Sequence, residues 1–284
     1  MSVTSLWGQL KVAAGSGVLN GGFAFARNMY FVGDNASPFV QTEDTIASAI
    51  TAAVSGDIII LGPQIYQEGN LVIPVGKDNI TIIGSSNLMS SSIEPINSGD
   101  EGIQILGNDC TLVNVAITKG TTADYALGVG SQTVSPARFR AVNCKFTGVG
   151  GAAVLLDGPT DTLLQECQIS DCDSGVLVDT NDNGNTNQLN IIDCQFNNFT
   201  TVGLGANGSG LVTGLMVAKC LFGQQDDGTA PTDFIVLSST ANKGMITQNY
   251  FATATSDAAL LTIGSGILWV ANATEAGIST ARPA

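Results

Sequence analysis

Apolar and polar positions in this chain follow a long repeat rather than one helical or strand period. A six-residue unit recurs as Ala141-Val-Asn-Cys-Lys-Phe146, Leu164-Gln-Glu-Cys-Gln-Ile169, Ile191-Ile-Asp-Cys-Gln-Phe196 and Val217-Ala-Lys-Cys-Leu-Phe222. Weaker copies flank it at Leu112–Ile117, Ile246–Phe251 and Trp269–Thr274. The register position runs through Val115, Cys144, Cys167, Cys194, Cys220, Asn249 and Asn272, at spacings of 29, 23, 27, 26, 29 and 23 residues. Self-similarity at such a period marks a stacked-repeat architecture.

Each period holds a second apolar run, such as Gly102–Leu106, Tyr125–Val129, Ala152–Leu156, Gly175–Val178 and Phe234–Leu237. Gly, Asn and Asp separate the runs, as turns require. Two or three short strands per period leave no room for a crossover helix. That pattern predicts an all-β fold, a parallel β-helix (solenoid) of about eight coils, with like residues stacked about 4.8 Å apart.

Stacking gives the cysteines a structural meaning. If the motif lies along one strand, Cys and the residue two places later share a face. Cys144, Cys167, Cys194 and Cys220 then form an inward ladder ending in Asn249 and Asn272. Phe146, Ile169, Phe196, Phe222 and Phe251 form a second ladder beside it. Small buried thiols filling a narrow core are the plainer reading than a metal or redox relay, because the chain has no C-x-x-C pair. Buried Asn in the column reads as an amide ladder bonded between coils.

An open solenoid end needs a cover. Residues 42–54 supply a helical pattern, with Ile46, Ala49, Ile50 and Ala53 on one side, Thr42 or Asp44 as N-cap and Gly56 as the stop. Ile46-x2-Ala49-Ile50-x2-Ala53-x2-Gly56-Asp57-x-Ile59, then Gly62-Pro63-x-x-Tyr66 and Ile80-x-Ile82-Ile83-Gly84, resembles the opening segment of the pectin-lyase-like right-handed parallel β-helix superfamily. The resemblance implies a right-handed solenoid over roughly residues 42–272. It says little about activity, because that superfamily includes lyases, hydrolases and structural phage proteins. Met29-Tyr-Phe-Val-Gly-Asp34 and Ile267-Leu-Trp-Val-Ala-Asn272 are also similar to β-helical virion proteins of tailed phages.

Composition narrows the chemistry. The 284 residues include 10 Lys+Arg, 24 Asp+Glu and no His, for a formal charge of −14. Imidazole-dependent catalysis and most zinc chemistry are excluded. Ten dispersed cations make no nucleic-acid footprint, and no run is long enough to span a bilayer. The N-terminus lacks a signal-peptide pattern; synthesis in the cytosol with free thiols follows.

One carboxylate constellation fits a catalytic reading. Asp157, Asp179 and Asn207 each follow the second strand of their coil, and in-register stacking would set the two acids about 5 Å apart. Such a pair suits a general acid, Ca²⁺ binding or a retaining glycosidase. The plainer reading is a solvated Asp/Asn ladder at strand ends. No Lys or Arg occupies a comparable position, and Arg138 and Arg140 belong to another strand. Asp179–Asn185 has the composition of a Ca²⁺ loop without the twelfth-position Glu. Gly15-Ser-Gly17 precedes no phosphate-binding helix. Two Trp and four Tyr, all scattered, do not outline a sugar-binding platform.

The chain therefore divides into an arm and first strand (1–41), the capping helix and solenoid (42–275) and a tail (276–284). Leu6, Trp7, Leu10, Phe23 and Phe25 in the arm need a partner surface or the solenoid's own flank. No catalytic residue, metal or cofactor is expected, Asp157 and Asp179 being the enzymatic alternative. The phage resemblance implies a capsid decoration (cement) protein of the virion, assembled in the host cytoplasm. It would be homotrimeric, on the major capsid protein or another virion protein. The alternatives are a polysaccharide lyase or hydrolase and a glycan-binding adhesin.

Overall fold

The computed structural model describes residues 28–33, 41–84, 90–148, 150–179, 185–207, 211–223, 233–237, 241–252, 261–262, 266–274 and 277–279. The arm residues Leu6, Trp7, Leu10, Phe23 and Phe25 lie outside them. The described chain is an all-β parallel solenoid of about seven turns, close to the eight that the motif spacing counts.

Every coil contributes to three faces. The first face stacks eleven strands among the described residues, from Gln41–Glu43 and Met29–Val32 through Ile58–Leu61, Thr81–Gly84, Thr111–Val113 and Arg140–Val142 to Ile267–Val270. The second face includes Ala116–Ile117 and Lys145–Thr147; the third includes Ile103–Ile105, Tyr125–Gly130 and Ala152–Asp157. Gln168–Asp179 and Gln195–Asn207 run unbroken through the second and third faces. Neighbouring coils pair in parallel without helical crossovers, as the short periods require.

The recurring motif is placed differently from the expectation of one continuous strand. It turns a corner between the first and second faces, and the residue before each register position takes a left-handed backbone. Asn114, Asn143, Glu166, Asp193, Lys219, Gln248 and Ala271 all have φ between 52° and 57°. For a side-chain-bearing residue this conformation costs on the order of 1 kcal/mol. It is offset because the corner N–H of every member from Asn114 to Gln248 reaches a carbonyl of the next coil, as in Asn143 N to Gln165 O (2.9 Å) and Glu166 N to Ile192 O (3.0 Å). A parallel column, Asn79, Asp109, Arg138, Asp161, Gln188 and Gly214, starts the first-face strands with φ of 55–67°.

Both expected ladders face inward. Cys144, Cys167, Cys194, Cys220, Asn249 and Asn272 are buried. Cys167, Cys194 and Cys220 approach Ala141 O, Leu164 O and Ile191 O of the coil before at 3.4–3.5 Å. Asn249 and Asn272 continue the series, donating through Nδ2 to Val217 O (3.0 Å) and Ile246 O (2.9 Å). Beside them Phe196, Phe222, Phe251 and Trp269 stack with centroids 4.5, 4.9 and 5.7 Å apart.

Helix α1 (Ile46–Ala52) covers the first coil with Ile46, Ala49 and Ile50. Its N-cap is Thr45, not Thr42 or Asp44; Thr45 and Ser48 form a capping box in which Ser replaces the usual Glu or Gln. The helix ends at Ala53, whose extended backbone breaks it, and Gly56 (φ 94°) belongs to the following turn. Two distant side chains complete the ends. Glu68 accepts from Ile46 N (2.8 Å) and Ala47 N (3.0 Å). Lys77 donates to Ile50 O, Thr51 O and Ala53 O at 2.6–2.8 Å. Each charge complements its end of the helix dipole.

At the far end, Gly277–Ser279 folds back antiparallel on Asn272–Thr274, so part of the segment expected as a tail pairs with the last coil.

Candidate functional site

The acid pair stands where its spacing places it. Asp157 pairs with Asp179, and Asp179 with Asn207, at the ends of third-face strands. Inward neighbours Leu156 and Val178 are fully buried, so strand alternation turns Asp157 and Asp179 away from the core, although Oδ1 of Asp157 is itself covered. Adjacent parallel strands put their Cα atoms about 4.8 Å apart.

The column cannot extend downward. Its preceding member is Gly130 (φ 93°), where a Cβ would lie 2.1 Å from Asp157 O. Any larger residue there would displace the Asp157 backbone, which excludes a third acid below the pair. Above it in register stands Asn207, by sequence not an acid. Among the described residues, no group of three His, Cys, Asp or Glu could hold a metal ion. Residues 180–184, which carry most of the Ca²⁺-like sequence, lie outside the described set.

The cation nearest this face in sequence is Lys119, which sequence reasoning passed over. Its ammonium is buried and donates to Gly120 O (3.0 Å) and Ala123 O (2.6 Å). Burial pulls its pKa down, opposed by Asp173 and Asp124. Lys119 sits before the third-face strand Tyr125–Gly130, whereas the acid pair follows the equivalent strands. Five residue steps of strand put about 17 Å between those edges. The amine therefore holds the 120–123 turn rather than serving Asp157.

Arg138 lies just past the corner that follows the acid pair, its N–H donating to Thr160 O (2.8 Å), but its guanidinium is taken by Asp109, Nη2 to Oδ2 being 2.7 Å. That hydrogen bond holds the Asp109 carboxyl below the usual carboxylate range. Arg140 is exposed on the first face. Neither reaches the acid pair.

All six cysteines are free and buried. Burial pushes the Cys110 thiol up to about 11 and the Cys172 thiol up to about 12. Within the ladder, Cys167 is raised well above the ordinary thiol value by hydrogen bonds with Cys144 and Cys194, and by burial. Cys144 and Cys194 are shifted the other way, chiefly by their hydrogen bonds with Cys167; the raised thiols Cys110, Cys167 and Cys172, held protonated, are poor nucleophiles and poor metal ligands.

A sequence profile described as the right handed beta helix region matches residues 60–222, more than half of the chain. The chain belongs to the right-handed β-helix family. Among curated proteins, no sequence matches it. Solved right-handed β-helix structures resemble it in fold. Pectin methylesterase PemA from Erwinia chrysanthemi superposes with a TM-score of 0.56 at 12% identity, covering 91% of each chain. Alginate lyase from Paenibacillus gives 0.55 at 12% identity, over 82% of this chain and 93% of that one. Pectate lyase Pel9A gives 0.62 at 13%, over 87% of this chain and 69% of that one. At such identities the likeness extends to the fold alone, which this β-helix shares with polysaccharide-active enzymes. No helix among the described residues is long and apolar enough to cross a membrane.

Proposed function

We propose that this β-helix is a non-enzymatic structural protein, a rigid spacer within a larger assembly. The observation that carries this reading is the confinement of the carboxylate column to Asp157 and Asp179. Gly130 bars a third acid below them, Asn207 stands above, and the Lys119 amine lies across the face in a structural turn. The interior is given over to hydrogen-bonded and aromatic ladders, which stiffen a solenoid. The likeness of residues 29–34 and 267–272 to β-helical virion proteins supports a place on a tailed-phage particle. There it would act as a capsid decoration protein on the major capsid protein, with residues 1–28 as the docking arm.

A second reading rests on the in-register Asp157–Asp179 pair and on a fold shared with polysaccharide-active proteins: hydrolysis, lysis or non-catalytic binding of a glycan. Purified full-length protein incubated with polygalacturonate and with alginate separates the two. We expect no new reducing ends and no unsaturated uronate absorbance. Release of either, lost in Asp179→Asn, would overturn the structural proposal. Glycan-array binding without turnover would favour the adhesin. Cryo-EM of purified particles that carry the chain tests the placement; density at the tail instead of the shell refutes a decoration role.

A further inference from the structure

We propose that the outer surface of the first face is a docking site for a second copy of this chain. Strand alternation exposes every second residue of that face. The outward column that starts at Ile60 runs in register through Ile83, Val113, Val142, Gln165, Ile192, Ala218 and Thr247 to Val270, and six of its nine members are Ile or Val. Those six Ile and Val residues are partly or largely exposed. The parallel column ends on Met216, Met245 and Leu268, the last 57% exposed. Arg140 is the one charged residue at the outward positions of these two columns between Ile58 and Val270.

The second face is finished with more polar residues in its middle coils. Equivalent outward positions there carry Lys145, Thr147, Gln168, Ser170, Gln195 and Asn197, before Leu221 and Tyr250 in the last coils. A sheet that needs only water outside has no reason to present so many aliphatic side chains on its outer surface.

Area and charge select the occupant. Nine stacked strands from Ile58–Leu61 to Ile267–Val270 make a strip about 38 Å long and, at four residues per strand, about 13 Å wide. Two such strips face to face bury on the order of 1,000 Å², the threshold for a specific interface. The chain carries a formal charge of −14, so two copies repel over most of their surfaces and can approach through this nearly uncharged strip. The strip is ribbed at the coil spacing, and the same strip on another copy matches it. Sheets pack in this way about 10 Å apart. A contact using the same patch on both partners closes at two copies, unlike the trimer expected from the phage resemblance. The inference stands apart from the question of enzymatic activity.

Sedimentation-velocity centrifugation of the full chain at micromolar concentration tests it. Wild type is expected at the mass of two chains. Leu268→Lys and Ile192→Lys should each shift it to one chain while far-UV circular dichroism stays unchanged, and Gln195→Lys on the second face should leave the pair intact. Leu268 is exposed enough that its replacement does not threaten folding. A monomeric or trimeric wild type, or a pair that survives both variants, overturns the proposal. The monomeric result is the one expected if the chain's own arm covers the strip.

Discussion

Asn249 and Asn272 share a single oxygen: Oδ1 of Asn272 accepts from both the backbone N–H (3.0 Å) and the Nδ2 (2.9 Å) of Asn249. Asn249 in turn gives its own Oδ1 to Cys220 N at 2.8 Å. The amide thus does two jobs where the thiol does one, donating to the coil before and accepting from it. This is the change in chemistry at which the cysteine ladder ends.

Asn272→Ala should therefore cost more than a typical surface change. It leaves two buried donors of Asn249 without their acceptor, each worth about 1–3 kcal/mol. Asn249→Cys should cost less than Asn249→Ala, because a thiol can still approach Val217 O. Urea unfolding midpoints rank the three; equal midpoints would refute the shared-oxygen account.

Glu68→Gln and Lys77→Met should each loosen α1, by about 1 kcal/mol. The two sites bind opposite ends of a helix about 10 Å long, so their effects should add in the double variant. Added salt should shrink the Glu68 effect. A Lys77→Met protein as stable as wild type would show that the three carbonyls are satisfied without the amine.

Stability should decline at alkaline pH. Cys110 is raised to about 11 and Cys172 to about 12, above their unfolded values near 8.5. A thiol raised by folding contributes fully below the unfolded pKa, and the contribution fades as pH climbs from about 8.5 toward the folded values. Unfolding midpoints between pH 7 and 10.5 check this. At pH 8 a thiol-reactive disulfide reagent should modify the cysteines only as fast as the chain opens.

Asp109 has the opposite sign. The hydrogen bond from Arg138 lowers its pKa, so its contribution is present above the ordinary carboxylate pKa and is lost as pH falls through the lowered value. In an NMR titration, Asp109 should titrate at higher pH in Arg138→Gly than in wild type. Arg138→Ala should be less stable than Arg138→Gly, since both lose the ion pair but only Gly suits a φ of 60°.

The ladders and the acid register were legible in the sequence because stacking repeats the same residue type, and spacing alone then fixes who meets whom. Cys144 and Cys167, or Asp157 and Asp179, need no structure to be paired. The corners were not legible. Glu166, Lys219 and Gln248 carry no turn signature, and their left-handed backbone is imposed by the neighbouring coil's carbonyl, a tertiary contact. Thr45 carries no familiar N-cap signature, because its capping partner is Ser48, where Glu or Gln is the usual sign. Glu68 and Lys77 lie more than twenty residues from the helix ends they hold. The acid pair's limits were hidden too, since the steric bar at Gly130 depends on a backbone oxygen one coil away.

The first-to-second-face corner also has a use unrelated to folding. One residue per coil stands there in the same backbone conformation, and those from Glu166 to Ala271 are exposed. Asn, Glu, Asp, Lys, Gln and Ala are all accepted. The molecule thus carries a graduated ruler, with marks about 4.8 Å apart along its axis. A chemist could rewrite each mark separately to hold dyes, metals or peptides at set intervals, while the ladders behind it stay as they are.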